Sequence, residues 1–319
     1  MKILANDGIS KEGIDKLEAA GFTVVTEKVE QENLIDAINK ENYVALLVRS
    51  ATTVRKDIID NCPNLKFIGR GGVGMDNIDV AYAREKGITV ENTPAASSQS
   101  VAELVMGALF SISRSLYDSH KEMPTKGTED FKVLKKKYAK GIELRGKTLL
   151  IIGFGRIGQS LASYALGAGM KVLAINRDVE DIQIPINIEG ANAVNVTITT
   201  STDINAVIGK ADFISLHVPK QDDGKAVIGA KEISLMKDGV RIVNAARGGV
   251  MDEDELLKAL NSGKVAYAAL DVYENEPNPR KDLLIHDRIA CTPHIGAATV
   301  EAQARIGEEL AEKIIKTLK

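Results

Sequence analysis

Short apolar runs and amphipathic stretches take turns along the chain. Lys2-Ile3-Leu4-Ala5 reads as a strand, and Ser10 then caps a helix that runs to Gly21. Phe22 to Val25 reads as a second strand, followed by a helical pattern through Leu34, Ile35 and Ile38. Tyr43 to Val48 is nearly all apolar, as a parallel strand covered on both faces should be. Leu65 to Ile68 and Ile88 to Val90 repeat the theme. This alternation predicts an α/β fold of doubly wound parallel sheets with helices on both faces. Asn92-Thr93-Pro94 interrupts it. Ser100-Val101-Ala102-Glu103 then has capping-box spacing, and Val101, Leu104, Val105, Ala108, Leu109 and Ile112 keep the spacing of one face of a long helix.

From Tyr117 to Arg145 the chain turns polar and rich in lysine, with Lys132, Lys135, Lys136, Lys137 and Lys140, and reads as a solvated connector. A second alternating block opens at Lys147 and runs to about residue 294. Thr299 to Leu318 carries a last helical pattern, with Val300, Ala304, Leu310, Ile314 and Leu318 on or near one face. At 319 residues the chain has room for two domains, each with its own core.

The first chemical signal lies at the head of the second block. Gly153-Phe154-Gly155-Arg156-Ile157-Gly158 fits G-x-G-x-x-G, with an apolar strand before it and a helical pattern through Leu161 and Leu166 after it. In that context Gly153 permits a tight turn, Gly155 lets backbone approach a pyrophosphate, and Gly158 lets helix pack close to strand. The helix N-terminus favours the negative charge of the phosphates. The following strand ends at Asn176-Arg177, where an acidic residue ordinarily binds the adenosine ribose. Asn176 removes a carboxylate's repulsion of a 2'-phosphate and Arg177 offers a cation, so NADP(H) is expected to be tolerated beside NAD(H). Arg177 stacking on adenine or pairing with Asp178 is the plainer alternative.

Three stretches further on supply a cation, a carboxylate and an imidazole: Asn244-Ala245-Ala246-Arg247-Gly248-Gly249, Asp271-Val272-Tyr273-Glu274-Asn275-Glu276-Pro277 and Cys291-Thr292-Pro293-His294. A site for a 2-keto acid needs this set. Arg247 would fix the carboxylate and polarise the ketone, His294 would exchange a proton with the oxygen, and Glu276 would keep His294 usable as an acid. Each residue alone has an ordinary alternative: Arg247 as a helix cap, Glu276 as a solvated turn residue, His294 as a loop histidine. The set, in that order behind a dinucleotide loop, favours catalysis.

Composition narrows the setting. A net charge of −3 gives no argument for nucleic acid or membrane as a partner. Two cysteines, Cys62 and Cys291, give no disulfide framework and no metal set, which fits a reducing, cytoplasmic location. MKILANDGIS does not read as a signal peptide.

Assembled, these motifs resemble the D-isomer-specific 2-hydroxyacid dehydrogenases. The likeness runs over nearly the whole chain and includes Val48-Arg49-Ser50-Ala51-Thr52, Gly69-Arg70-Gly71-Gly72-Val73-Gly74-Met75-Asp76-Asn77, Asn92-Thr93-Pro94, the glycine loop and the three later stretches. Arg49-Ser50-Ala51-Thr52 and Arg70 narrow it toward members that act on phosphoglycerate. The resemblance implies a substrate-binding domain of residues 1–97 plus 295–319, a Rossmann domain of residues 98–294, and an active-site cleft between them. It also implies a homodimer through the cofactor domain, with the helix after Ser100 as a hinge. By resemblance Gly72, Val73 and Gly74 hold the substrate carboxylate, consistent with the anion nest that successive N–H groups of a glycine-rich turn make. Arg49, Ser50 and Arg70 join them as substrate residues, and Asp271 and Pro219 join the cofactor set. The regulatory domain of longer relatives, and serine feedback with it, is expected to be missing.

The expected activity is NAD(P)-dependent oxidation of 3-phosphoglycerate to 3-phosphohydroxypyruvate, the first step of serine biosynthesis. An NADPH-driven glyoxylate/hydroxypyruvate reductase is the alternative enzyme. A nucleotide-sensing assembly protein with weak catalysis is the alternative from another class.

Overall fold

The computed structural model describes residues 1–221 and 223–319. It divides into two compact units, Met1–Ser100 with Ala297–Lys319, and Val101–Gly296.

The first unit runs β1 (Lys2–Ala5), α1 (Lys11–Ala19), β2 (Thr23–Val25), α2 (Leu34–Glu41), β3 (Tyr43–Val48), α3 (Lys56–Asn61), β4 (Phe67–Arg70), α4 (Val80–Glu85) and β5 (Thr89–Asn92). Its five strands are all parallel, in the order β2-β1-β3-β4-β5. The apolar run of β3 is explained by its two faces. Leu46 and Val48 enter one core with Ile58 and Ile68, while Ala45 and Leu47 enter another with Phe67 and Leu17. Each large side chain so buried contributes about 1.5–3 kcal/mol. The chain's last helix, Val300–Leu318, closes the second of these cores through Ala311 and Ile314. It crosses α1 where two glycines meet: a Cβ on Gly13 would lie 2.8 Å from the backbone of Gly307. Ser10 caps α1 by accepting the Gly13 N–H.

The chain leaves this unit inside α5 (Ser98–Arg114) and continues through α6 (Leu116–Lys126), α7 (Phe131–Lys137), β6 (Thr148–Ile152), α8 (Arg156–Gly167), β7 (Lys171–Ile175), β8 (Asp181–Ile186) and β9 (Val194–Ser201). Next come α9 (Asn205–Ile208), β10 (Phe213–Leu216), α10 (Ala230–Leu235), β11 (Val240–Asn244), α11 (Glu253–Ser262), β12 (Val265–Leu270), α12 (Lys281–Leu284) and β13 (Ile289–Cys291); the final helix is α13. The sheet order is β13-β12-β11-β10-β6-β7-β9-β8. Strand order reverses between β6 and β10, the arrangement of a Rossmann domain, with helices on both faces.

Three elements depart from the sequence reading. α5 begins at Ser98 rather than after Ser100. The Ser98 hydroxyl reaches the Pro94 carbonyl four residues back, and the helix is already under way at Ser100, so Ser100 is not its N-cap. The lysine-rich stretch is no bare connector, because α6 and α7 form a hairpin of helices. Glu122 ties them by accepting from Lys126, Lys137 and Tyr138 at 2.7, 2.8 and 2.6 Å. Those bonds pull its carboxyl down to about 2. Finally, β8 pairs antiparallel with β9 at the edge of the otherwise parallel sheet.

No helix of the described residues is long and apolar enough to cross a membrane.

Candidate active site

Ligands of open α/β sheets bind beyond the carboxyl ends of the strands, where the strand order reverses. In the second unit that point holds the glycine loop after β6 and His217 after β10. Gly153 has φ +95°, and a Cβ there would run into the carbonyl oxygen of His217. A Cβ on Gly158 would come 2.5 Å from the Gly153 carbonyl. Gly155, by contrast, has open space above it and forms the N-cap of α8, with Arg156 and Ile157 as the first helical residues. The loop is closed toward the protein and open where a pyrophosphate would lie, so the residues present fit a dinucleotide. Asn176 follows β7 and donates its N–H to Ser201, while Arg177 is exposed and makes no ion pair among the described residues. Pro219 lies on the exposed loop after His217, its carbonyl accepting from Gln221.

The structure brings the cation, carboxylate and imidazole together. His294 Nδ1 and Glu276 Oε2 are 2.8 Å apart, and Glu276 Oε1 accepts the Tyr273 N–H at 2.9 Å. Side-chain exposures of 37% for His294 and 34% for Glu276 leave the pair open to a solute. Burial opposes ionisation of Glu276, but the bonds from His294 and the Tyr273 N–H, with the positive field of Arg247, hold its carboxyl below the usual range. Arg247 is half-buried after β11 and donates from one Nη to the Ala246 carbonyl at 2.6 Å. Asn244 shapes that turn, donating to the Arg247 carbonyl and accepting the Ala246 N–H. Gly248 lets the Arg247 turn lie against the Glu276 turn, because a Cβ there would run into the Tyr273 carbonyl.

Two carboxylates hold these loops in ways the sequence did not disclose. Asp271 is only 4% exposed. Its Oδ1 accepts from Thr292 Oγ1 and the Ile295 N–H, and its Oδ2 accepts the Gly296 N–H. It thus grips the chain on both sides of His294, whose φ of +55° is one that non-glycine residues rarely adopt. Glu253, buried at the start of α11, accepts the Glu274 N–H at 2.9 Å and steadies the Glu276 turn. In the sequence Glu253 is one of three acids in the first turn of α11, with Asp254 and Glu255, so nothing local singled it out.

In the first unit the candidate substrate residues gather at the carboxyl ends of β3 and β4. Gly72 has φ +135° and donates its N–H to Thr93 Oγ1 at 2.8 Å, while Asn92 holds the Val73 carbonyl. Val73 is exposed, and Gly74 follows it in the same turn. Arg70 folds back onto the turn, donating to the Gly71 carbonyl, and its guanidinium fills the space a Cβ on Gly72 would need. The Arg49 side chain passes 3.5 Å from where a Cβ on Gly71 would lie. Ser50 is exposed next to it.

A Rossmann unit with such a loop, carrying an Arg, a Glu and a His at the ends of its later strands, defines a nicotinamide-dependent oxidoreductase. Residues 106–296 match the model for the D-isomer specific 2-hydroxyacid dehydrogenase, NAD binding domain, and the chain belongs to that family, with NAD or NADP as its cofactor. It is 43% identical to a hydroxypyruvate reductase of Thermotoga maritima over 99% of this chain and 98% of that protein. It is 42% identical to a D-3-phosphoglycerate dehydrogenase of Methanocaldococcus jannaschii over 100% of this chain, but spans only 58% of that protein. Among solved structures, a glyoxylate reductase from Paecilomyes thermophila superposes with a TM-score of 0.82 at 28% identity, covering 100% of this chain and 96% of that one. An acyclic imino acid reductase in complex with NADPH and D-Arg superposes with a TM-score of 0.83 at 28% identity, covering 100% and 97%.

Proposed function

We propose that the protein interconverts D-3-phosphoglycerate and 3-phosphohydroxypyruvate. The observation that carries this reading is the convergence of Arg49 and Arg70 on the Gly71–Gly74 turn. With the N–H groups of Gly71 and Gly72 committed to Val48 and Thr93, those of Val73 and Gly74 suit the substrate carboxylate, and the Arg70 guanidinium on the turn with the Arg49 side chain passing beside it suits a second, doubly charged group.

In this reading His294 is the acid/base. Its Nδ1 is engaged by Glu276, so Nε2 exchanges the proton: it takes the 2-hydroxyl proton in oxidation and returns it to the ketone oxygen in reduction. The bound nicotinamide accepts or supplies the hydride at C2. Glu276 balances the charge that His294 gains, and Arg247 pairs with the substrate carboxylate and polarises the ketone. Asn176 and Arg177 support acceptance of NADP(H) beside NAD(H), since Arg177 keeps its charge uncommitted. The exposed apolar side chains Leu116, Tyr117, Met123, Phe131 and Val133 on the α6–α7 hairpin support a homodimer through the second unit, which light scattering on the purified protein would test.

The second reading, reduction of unphosphorylated hydroxypyruvate or glyoxylate, is favoured by the full-length match to the Thermotoga maritima protein. Steady-state rates with 3-phosphoglycerate and with hydroxypyruvate, each with NAD(H) and NADP(H), separate the two. Efficient phosphoglycerate oxidation supports the first; turnover of small keto acids alone supports the second.

A further inference from the structure

The first unit has its own point of strand-order reversal, between β1 and β3, and a closed hydrogen-bonded device sits at it. Asp7 follows β1, and Arg49-Ser50-Ala51-Thr52 follows β3. Asp7 Oδ2 accepts the N–H groups of Arg49 and Thr52 at 2.6 and 3.0 Å, and its Oδ1 accepts the Thr52 hydroxyl at 2.7 Å. From the other side, Asn77 Nδ2 donates to the carbonyls of Arg49 and Thr52 at 2.8 and 2.6 Å. Asn6, 2% exposed, donates to Thr52 Oγ1 at 2.9 Å and locks to Val29 through both ends of its amide. Both ends of the four-residue loop are therefore gripped through N–H and C=O alike.

The apex is treated differently. Among the described residues, the N–H groups of Ser50 and Ala51 make no hydrogen bond, and both residues are exposed. Two consecutive uncommitted N–H groups, a serine hydroxyl and the Arg49 guanidinium on one fixed loop form an anion-recognising set. Fixing the loop beforehand removes the ordering cost that an anion would otherwise face on binding.

We propose that Asp7 and Asn77 are positioning residues for the phosphate of the substrate, holding the Ser50-Ala51 apex and Arg49 in the geometry that selects a phosphorylated over an unphosphorylated 2-hydroxy acid. This rests on the phosphoglycerate reading above. Neither residue touches substrate in this account; each acts through the loop. A carboxylate close to an anion subsite is acceptable because its oxygens are occupied by three donors. Asp7→Asn keeps an acceptor at the Oδ2 position and drops the charge, so it is the conservative test. Asp7→Ala releases the whole N–H side, and Asn77→Ala releases the carbonyl side.

The experiment is steady-state oxidation of 3-phosphoglycerate and reduction of hydroxypyruvate by the full chain and the three variants, with thermal melts alongside. For Asp7→Ala and Asn77→Ala the expected result is a KM for 3-phosphoglycerate raised at least 10-fold with kcat within about 3-fold. The ratio of kcat/KM between the two substrates should fall by about 10-fold, and Asp7→Asn should stay within 3-fold of the parent. If Asp7→Ala does not fold, Asn77→Ala carries the test. Equal losses on both substrates, a loss in kcat alone, or no change overturns the clasp. A parent enzyme that does not oxidise 3-phosphoglycerate overturns the phosphate reading itself, and the clasp with it, before any variant is compared.

Discussion

His294 Nδ1 lies 2.8 Å from Glu276 Oε2, and the other oxygen of Glu276 is fixed by the Tyr273 N–H. The carboxylate is thereby oriented from its own turn, so the imidazole is aimed by a backbone bond it does not itself make. Glu276→Gln keeps the shape and removes the charge that stabilises a protonated ring. In the proposed mechanism, kcat/KM for keto-acid reduction should fall by about 10²-fold near neutrality. Losing the counter-charge should make the size of that loss depend on pH. In the parent, Glu276 stays ionised to a lower pH than an ordinary glutamate, so its protonation should not limit turnover until below the usual carboxylate range. A pH–rate profile of both proteins checks this. A parallel downward shift at every pH would remove the electrostatic role.

Arg247 makes a different demand. Its backbone is held by Asn244, and one guanidinium nitrogen is already committed to the Ala246 carbonyl. The guanidinium is a planar fork of donors, which a lysine ammonium does not reproduce. Arg247→Lys should cost about 10²-fold in kcat/KM with stability little changed. Near-normal turnover in that variant would mean that charge alone suffices and that bidentate pairing is not used.

How much of this was legible in the sequence depended on whether the signal was local. The run Tyr43–Val48 announced a strand buried on both faces, and the glycine loop announced its turn, because each is set by neighbouring residues. Arg247, Glu276 and His294 were legible as a set through their order and family likeness. Nothing in their spacing could give a 2.8 Å contact between residues 18 apart. Asp7 was invisible because Asp7-Gly8 reads as an ordinary turn, and its partners lie more than 40 residues away. The α6–α7 hairpin was missed for the opposite reason. Leu116, Met123 and Phe131 stay exposed, so no buried face imposes a helical period on the sequence. The β8–β9 hairpin did leave a trace, since Ile182, Ile184, Val196 and Ile198 alternate with polar residues, but strict alternation was not expected in a parallel domain.

Cofactor choice should respond to Arg177. The residue is exposed, carries no ion pair among the described residues, and follows the strand whose end faces the adenosine ribose in Rossmann domains. Arg177→Ala should raise the KM for NADP(H) by about 10-fold, the worth of one charge-assisted contact, and leave that for NAD(H) nearly unchanged. Equal changes with both dinucleotides would assign Arg177 to stacking on the adenine instead.

The last prediction concerns stability. His217 stands at the end of β10 beside the glycine loop, with Nε2 2.8 Å from Ser215 Oγ. Its Nδ1 is buried and has no partner among the described residues. Burial pushes the imidazole down to about 4, so the folded protein holds it neutral. The unfolded chain protonates near the ordinary value of about 6.5. As pH falls from 7 toward 4, the unfolded state gains a proton that the folded state refuses, and stability falls at about 1.4 kcal/mol per pH unit below 6.5. By pH 5 the loss amounts to about 2 kcal/mol, in a window where most carboxylates are still ionised. His217→Gln keeps a polar partner for Ser215 without a titratable group. It should be less stable than the parent at pH 7.5, yet its stability should change less between pH 7.5 and 5. Urea unfolding at several pH values measures both slopes. Parallel slopes for parent and variant would show that His217 takes up its proton in the folded protein as readily as in the unfolded chain, and the neutral, buried ring would have to be abandoned.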